Sequence, residues 1–184
     1  MMSALVNILP HYTYEDYRLW EGRWEIIDGI PYAMSPAPSV RHQWVTGNII
    51  GELRNALKLT ECIKNCKVLN FIDVKITDDT VVQPDASVVC GETGKLFLDF
   101  PPVIAVEVLS PSTQIKDRNA KFDRYQKFGV KYYLIADVDI NQVEIFQLSD
   151  DKIYQKQSPD KSNSFTFHLT DHCNIVLSLD RIWE

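Results

Sequence analysis

Two carboxylates stand where the sequence otherwise predicts buried strands. Glu107 is the one charged residue in the apolar run 103–109, and an ionised carboxylate in a dry strand costs free energy unless a partner neutralises it. Asp85 follows Pro84, which has no backbone N–H and favours a strand edge, a bulge or a bend. Each also has an ordinary explanation. Glu107 could lie at a wet strand end or pair with a basic residue, and Asp85 could be a turn residue.

A lysine is predicted to face the same core. On the helix predicted for residues 117–129, Lys121 shares one face with Tyr125 and Phe128, although its stem could simply snorkel along the apolar surface. Two carboxylates on neighbouring strands and an inward lysine on the next helix suit metal-assisted hydrolysis. Mg²⁺ binds carboxylate and phosphate oxygens. The lysine could orient or deprotonate water, or stabilise charge on the phosphate.

The segment around this lysine is basic, although the chain as a whole has a net charge of −6. That net charge argues against a histone-like coat of positive charge. A local basic face beside the carboxylates favours a phosphate polymer as the ligand, whereas a solvated helix face would explain the outer lysines equally well. The basic residues between 116 and 131 are Lys116, Arg118, Lys121, Arg124, Lys127 and Lys131, against Asp117 and Asp123.

The N-terminal part of the chain is predicted to form two helices and a hairpin. A capping-box sequence opens a short helix over 13–20, and an Asp-Gly turn predicts a hairpin over 23–32. A long helix is predicted over 39–59. Its apolar stripe includes His42, and Glu52 lies on the edge of that stripe.

The remainder of the chain predicts a mixed sheet with helices packed on it. The run 103–109 is bounded by prolines and is predicted to form a strand buried on both faces. With the helix and the strand that follow, it is predicted to form a βαβ unit. The segment 142–148 suits a sheet edge. Strands are predicted at residues 68–76, 81–90, 103–109, 131–136 and 142–148, with one or two more in the tail at 165–179.

Length and composition predict one ordinary globular domain over residues 1–184. The chain is 45% apolar and 24% charged, and no stretch approaches the roughly 18 uninterrupted apolar residues of a membrane span. Residues 1–10 lack the basic start, the long apolar stretch and the cleavage site of a signal peptide. A cytoplasmic protein is therefore expected.

Four cysteines raise the question of disulfides or zinc. In a reducing compartment free thiols are expected rather than disulfides. Cys62 and Cys66, like His168 and His172, have the internal spacing of zinc ligands. Because the two pairs lie about a hundred residues apart, ordinary cysteines are favoured, and a zinc protein remains a minor alternative.

Several stretches of the sequence together resemble the Uma-two family of nucleases, within the PD-(D/E)XK superfamily. The Glu107–Thr113 stretch is the most specific of them, and the resemblance extends over nearly the whole chain. The matching stretches are 84–85, 105–113, 117–121, Tyr125, 129–133, 25–29, 35–36, 41–43 and 179–183.

This resemblance implies a role for individual residues. Asp85 corresponds to the aspartate of the PD element and Glu107 to the acid of the second element. Leu109 stands where the superfamily has a lysine, so Lys121 is interpreted as its relocated substitute. His42 matches a family position and is expected to be an auxiliary site residue.

The resemblance also implies a fold and an activity. The fold would be α/β, with a restriction-endonuclease-like mixed β-sheet flanked by helices and an N-terminal helix and hairpin. The activity would be Mg²⁺-dependent DNA hydrolysis, with Mn²⁺ able to substitute, leaving 5′-phosphate and 3′-hydroxyl ends. Asp85 and Glu107 would hold the metal, with the Val108 carbonyl as a third ligand, and Glu52 is a weaker candidate for an additional acid.

Two further hypotheses accompany this interpretation. Cutting both DNA strands favours two active sites and therefore a homodimer. The alternative function is a non-catalytic nucleic-acid or protein-binding module that retains the nuclease fold.

Overall fold

The structure, a computed structural model, combines a central β-sheet with helices and two smaller sheets. It describes residues 10–34, 37–111 and 113–184. The helical elements are α1 (Tyr14–Tyr17), α2 (Val40–Lys58), a 3₁₀ turn (Glu61–Lys64), α3 (Gln114–Lys116), a π-helical turn (Asp117–Lys121), α4 (Phe122–Phe128) and a 3₁₀ turn (Asp180–Ile182). The strands are β1 (Trp24–Ile27), β2 (Ile30–Ala33), β3 (Cys66–Leu69), β4 (Val74–Thr77), β5 (Thr80–Val82), β6 (Ala86–Cys90), β7 (Ile104–Val108), β8 (Tyr132–Asp137), β9 (Gln142–Leu148), β10 (Tyr154–Gln157), β11 (Ser164–Thr170) and β12 (Cys173–Ser178).

The N-terminal elements follow the sequence prediction. The Thr13 backbone N–H donates to the Asp16 carboxylate at 2.8 Å, as in a capping box, although α1 ends three residues earlier than predicted. Asp28 and Gly29 both adopt positive φ between β1 and β2. This is the conformation that the tight turn of a hairpin requires, and it explains the Asp-Gly pair.

The central sheet has six strands in the order β10-β9-β8-β7-β6-β3. Strand β7 is buried along its whole length and runs parallel to β8, so the predicted βαβ unit is confirmed. The prediction that residues 142–148 form an edge is wrong, because β9 pairs on its outer side with β10. The short polar strand β10 has too weak an apolar pattern to be predicted.

The two strands predicted over 68–76 and 81–90 are each divided in the structure. Strands β3 and β6 belong to the central sheet, whereas β4 and β5 join the N-terminal hairpin in a four-stranded sheet of order β2-β1-β5-β4. The chain passes from β5 to β6 through residues 83–85. Pro84 cannot donate a ladder hydrogen bond, and so the chain breaks there and brings Asp85 to the start of β6.

The crossover helix spans residues 114–128 and begins three residues before the predicted start. It consists of α3, the π-helical turn and α4, and it ends at Gly129, whose φ of 97° lies in the left-handed region. The π-helical turn is a single-turn insertion of the kind that is frequent at functional sites. It carries Asp117 and Lys121, which are both buried.

Apolar side chains cover both faces of the central sheet. One face packs against α2 and the β11–β12 hairpin, which forms a sheet of its own. The other face packs against the crossover helix and the four-stranded sheet. In the described part of the chain, no helix has the length and apolarity to cross a bilayer.

The expectation of free thiols is wrong, because the four cysteines form two disulfides. Cys66 and Cys90 face each other in the β3–β6 ladder and are bonded. Cys62 is bonded to Cys173, which lies 111 residues further along the chain. This also removes the zinc interpretation, since both cysteines of the proposed pair are consumed in different bonds.

The long-range disulfide is expected to stabilise the fold more than the short one. In the chain-entropy model a crosslink closing about a hundred residues contributes about 4–5 kcal/mol to the free energy of unfolding, and one closing about 25 residues contributes about 3.5 kcal/mol. Chemical denaturation should therefore show a larger loss in Cys173→Ala than in Cys90→Ala. Alkylation of the unfolded, unreduced protein should label no cysteine, and labelling of all four would contradict both bonds.

Candidate active site

The strand register brings Asp85 and Glu107 to facing positions. Ala86 pairs with Val106 in the antiparallel β6–β7 ladder, and extending that register by one residue places Asp85 opposite Glu107. The Val108 backbone N–H donates to Asp85 Oδ2 at 2.8 Å, so the Asp85 side chain reaches across to β7. Both carboxylates are buried and line one cavity. Their separation of less than about 6 Å, the distance that sharing one cation requires, stays a prediction.

Lys121 lies at the centre of this group. Its Nζ is 2.8 Å from Glu107 Oε1 and 2.6 Å from Glu25 Oε1, and it lies 3.5 Å from Asp117 Oδ1. The side chain is 2% exposed, which excludes the snorkelling interpretation, since the ammonium does not reach solvent. The helical-face prediction for this lysine is therefore confirmed in its geometry.

Glu25 belongs to the site, although sequence analysis did not predict it. This carboxylate on β1 is fully buried, accepts the Gln83 backbone N–H at 2.9 Å, and makes ion pairs with Lys121 and Lys116. The sequence carries the same indication for Glu25 as for Glu107, an acid among apolar strand residues. Glu25 is the one acid of a short strand, Trp24–Ile27, whose other residues are apolar.

Asp117 is the second site residue that sequence analysis did not predict. It is 1% exposed, and its Oδ1 accepts no hydrogen bond from the described residues. It lies four positions before Lys121 on the same helix, and that spacing could have indicated it. The Tyr125 hydroxyl completes the group by donating to Glu107 Oε1 at 2.9 Å.

His42 contacts the other carboxylate. It lies in the first turn of α2, where the Ser39 hydroxyl accepts its backbone N–H, and its Nε2 is 3.4 Å from Asp85 Oδ2. Burial lowers the pKa of His42, but its hydrogen bond and charge interaction with Asp85 outweigh burial and raise that pKa above the usual value. The histidine therefore positions Asp85 from the α2 side of the sheet.

The site contains more negative than positive groups. Burial raises the pKa of Glu107 well above its usual range, and the neighbouring carboxylates add to this, while Lys121 opposes it. Burial also raises the pKa of Asp117. The pKa of Glu25 is lowered, because Lys121 and Lys116 together outweigh the effect of its burial.

Lys121 itself stays protonated. Burial alone would lower the pKa of Lys121, but the charges of Glu107, Glu25 and Asp117 raise it well above the usual value. An ammonium with a raised pKa donates hydrogen bonds and does not accept a proton at neutral pH. This argues against the expectation that the lysine deprotonates water, and leaves the orienting and charge-stabilising roles.

The residues present fit a divalent cation. Among the described residues, none donates a hydrogen bond to Asp85 Oδ1 or Glu107 Oε2, so one oxygen of each carboxylate is available. Within the same ranges no cluster of three or more His, Cys, Asp or Glu side chains forms a ready metal site. That is compatible with Mg²⁺, which binds through one or two carboxylates and keeps several waters. Both carboxylates open onto a cavity of about 780 Å³.

Other predicted participants lie elsewhere. Glu52 pairs with Arg181 at 3.5 Å and is not among the residues that line the cavity. The six basic residues of the 116–131 segment do not form a free phosphate-binding face, because each has an acid or carbonyl partner. These contacts join Lys116 to Glu25, Arg118 to Glu144 and Asp137, Lys121 to Glu107, Arg124 to Asp28 and Asp123, Lys127 to Asp123, and Lys131 to the His168 carbonyl.

The fold matches that of a solved structure. The crystal structure described as "a putative nuclease belonging to DUF820" from Anabaena variabilis superposes with a TM-score of 0.71 at 15% identity, covering 94% of this chain and 97% of that one. This likeness confirms the α/β fold, a mixed sheet flanked by helices.

The sequence comparison then gives the family. The model of the Uma2 family, described as "Putative restriction endonuclease", matches residues 14–171, and the chain therefore belongs to this family, as the resemblance implied. An uncharacterized protein of Synechocystis sp. is 29% identical over 150 residues, which is 77% of each chain.

Proposed function

We propose that this protein is a Mg²⁺-dependent endodeoxyribonuclease. The observation that carries the proposal is the buried Lys121 ammonium, held between Glu107 and Glu25 beside a cavity that Asp85 also lines. A group of carboxylates with surplus negative charge and a fixed cation suits the hydrolysis of a phosphodiester. The family description supports the same class of reaction.

Asp85 and Glu107 are the proposed metal ligands, with the Val108 carbonyl as a third. A bound Mg²⁺ would polarise the phosphodiester and lower the pKa of an attacking water. His42 and the Val108 N–H fix the orientation of Asp85, and Tyr125 and Lys121 fix that of Glu107. Each ligand thus has its rotamer held before a cation arrives.

Lys121 acts in this proposal as a hydrogen-bond donor. Its charge lies next to Glu107, and so it would orient water beside that carboxylate and stabilise the negative charge that develops on the phosphate. Glu25 and Asp117 hold the ammonium from the opposite side and keep it protonated. They are positioning residues rather than metal ligands in this scheme.

Cleavage of supercoiled plasmid tests the proposal. The wild type with Mg²⁺ or Mn²⁺ should convert the plasmid to cut forms, and EDTA should stop the reaction, because the carboxylates alone cannot activate water. Asp85→Asn should be inactive, while Asp150→Asn, which changes an exposed carboxylate remote from the cavity, should match the wild type.

The form of the product tests the remaining alternatives. Linear plasmid in the earliest products favours a homodimer that cuts both strands, whereas nicked circles favour one site acting alone. A folded wild type that binds DNA with no Mg²⁺-dependent cleavage would contradict the nuclease proposal and favour a non-catalytic nucleic-acid-binding module.

A further inference from the structure

Arg23 is a cation of the candidate site that neither the mechanism above nor a carboxylate partner among the described residues accounts for. The basic groups lining the cavity are Arg23, His42, Lys116 and Lys121. The last three face carboxylates, as described above. Arg23 makes no ion pair within the described ranges, and its Nη2 is screened from solvent without a hydrogen-bond partner there. A buried guanidinium N–H without a hydrogen-bond acceptor costs free energy. A ligand in the cavity could supply that acceptor.

Contacts on two sides fix the orientation of Arg23. Its Nε donates to Gln83 Oε1 at 3.1 Å, and the ring of Phe71 lies against its face, 4.3 Å from Cζ. Phe71 itself has a φ of 52°, a left-handed conformation that is unfavourable for a bulky residue. Gln83 in turn donates its backbone N–H to Glu25, so this guanidinium is tied to the carboxylate group without pairing with it.

The charge of the cavity indicates an anionic ligand for Arg23. With His42 neutral and the four acids ionised, Glu25, Asp85, Glu107 and Asp117 carry four negative charges, against the two positive charges of Lys116 and Lys121. One divalent cation would bring this group to neutrality. Among the described cations that line the cavity, Arg23 would then be the one that no carboxylate faces.

We infer that Arg23 binds a backbone phosphate of the DNA strand and so positions the phosphodiester at the Asp85–Glu107 pair. The inference rests on the proposed function and adds to it a phosphate-binding subsite. Arginine suits this task because its planar fork presents two parallel donors to phosphate oxygens. The residue is a positioning residue, since it holds the substrate and takes no part in proton transfer.

Binding of a fluorescent DNA duplex, measured by anisotropy over a series of salt concentrations, tests the inference. Ca²⁺ replaces Mg²⁺, because it binds the same oxygen ligands and allows binding to be measured apart from cleavage. Arg23→Gln should weaken binding about tenfold and reduce the salt slope by about 0.9, the contribution of one phosphate contact. Arg23→Lys should keep the slope but recover only part of the affinity. Arg54→Gln, an exposed arginine of α2 outside the cavity, should behave as wild type.

Two results would overturn the inference. One is an unchanged affinity and salt slope in Arg23→Gln. The other is a loss of DNA binding accompanied by a similar loss of Ca²⁺ affinity or of thermal stability, which would show that Arg23 acts through Gln83 and Glu25. If the inference holds, Arg23→Gln should raise the KM for DNA cleavage about tenfold and leave kcat unchanged.

The same experiment separates this inference from the proposed nuclease function. If the wild type binds DNA with the predicted Arg23 dependence but does not cut it with Mg²⁺, the nuclease proposal fails and the phosphate subsite stands. If the wild type cuts DNA and Arg23→Gln binds and cuts equally well, the subsite alone fails. A wild type without affinity for DNA would overturn both.

Discussion

Lys121→Met should lower the rate of DNA cleavage about 10³-fold, the effect of removing a preorganised donor from a charged transition state. It should also lower the free energy of unfolding by about 3–5 kcal/mol, since it leaves Glu25 and Glu107 buried without their shared counter-ion. Lys127→Met is the matched control. That lysine is exposed on the same crossover helix, so both quantities should stay near those of the wild type.

A second variant separates the catalytic effect from the stability effect. Lys121→Met combined with Glu25→Gln removes one buried negative charge together with the ammonium, and stability should recover in part. Cleavage should not recover, because no ammonium remains beside Glu107. Plasmid assays well below the melting temperature of each variant give the cleavage rate, and chemical denaturation gives the free energy of unfolding. Full activity in the Lys121→Met protein would contradict the relocated-lysine interpretation.

Glu107→Gln should abolish cleavage and nevertheless stabilise the metal-free protein. Burial raises the pKa of Glu107 in the folded state, so the unfolded chain releases this proton at a lower pH than the folded chain does. The wild type therefore loses stability as the pH rises from about 4.3, the usual glutamate value, through the raised folded pKa. Glutamine does not titrate, and its side-chain oxygen can still accept from Lys121 and Tyr125.

Melting temperatures measured in EDTA check this prediction. The variant should exceed the wild type at about pH 8, and the difference should shrink towards about pH 4, where the unfolded chain is also protonated. Added Mg²⁺ should raise the melting temperature of the wild type by binding the folded state, with little effect on Glu107→Gln. Glu92→Gln, an exposed carboxylate outside the cavity, serves as control. A metal-free Glu107→Gln protein that melts below the wild type at high pH would show that Glu107 is ionised and paired.

Local patterns in the amino-acid sequence are enough to predict much of the scaffold. The buried strand around Glu107, the crossover helix, the N-terminal hairpin and the long helix α2 were all predictable, because their signals are local. The two carboxylates and the lysine could be found for the same reason. A charge at a position where periodicity demands an apolar side chain is visible without knowledge of its neighbours, and the strand and helix faces direct all three to one side of the sheet.

Which partners those residues contact depends on the tertiary structure. Glu25 lies in a different sheet from Glu107, and Lys121 joins them only because the chain breaks at Pro84 and the two sheets pack together. The pairing of Cys62 with Cys173 and the neutralisation of the basic helix face likewise depend on contacts between distant segments. Hydropathy and spacing report the environment of a residue along its own element. Contacts across the core depend on how the elements pack, and so only the folded structure could place Glu25 against Lys121, and Asp117 and Arg23 around the cavity.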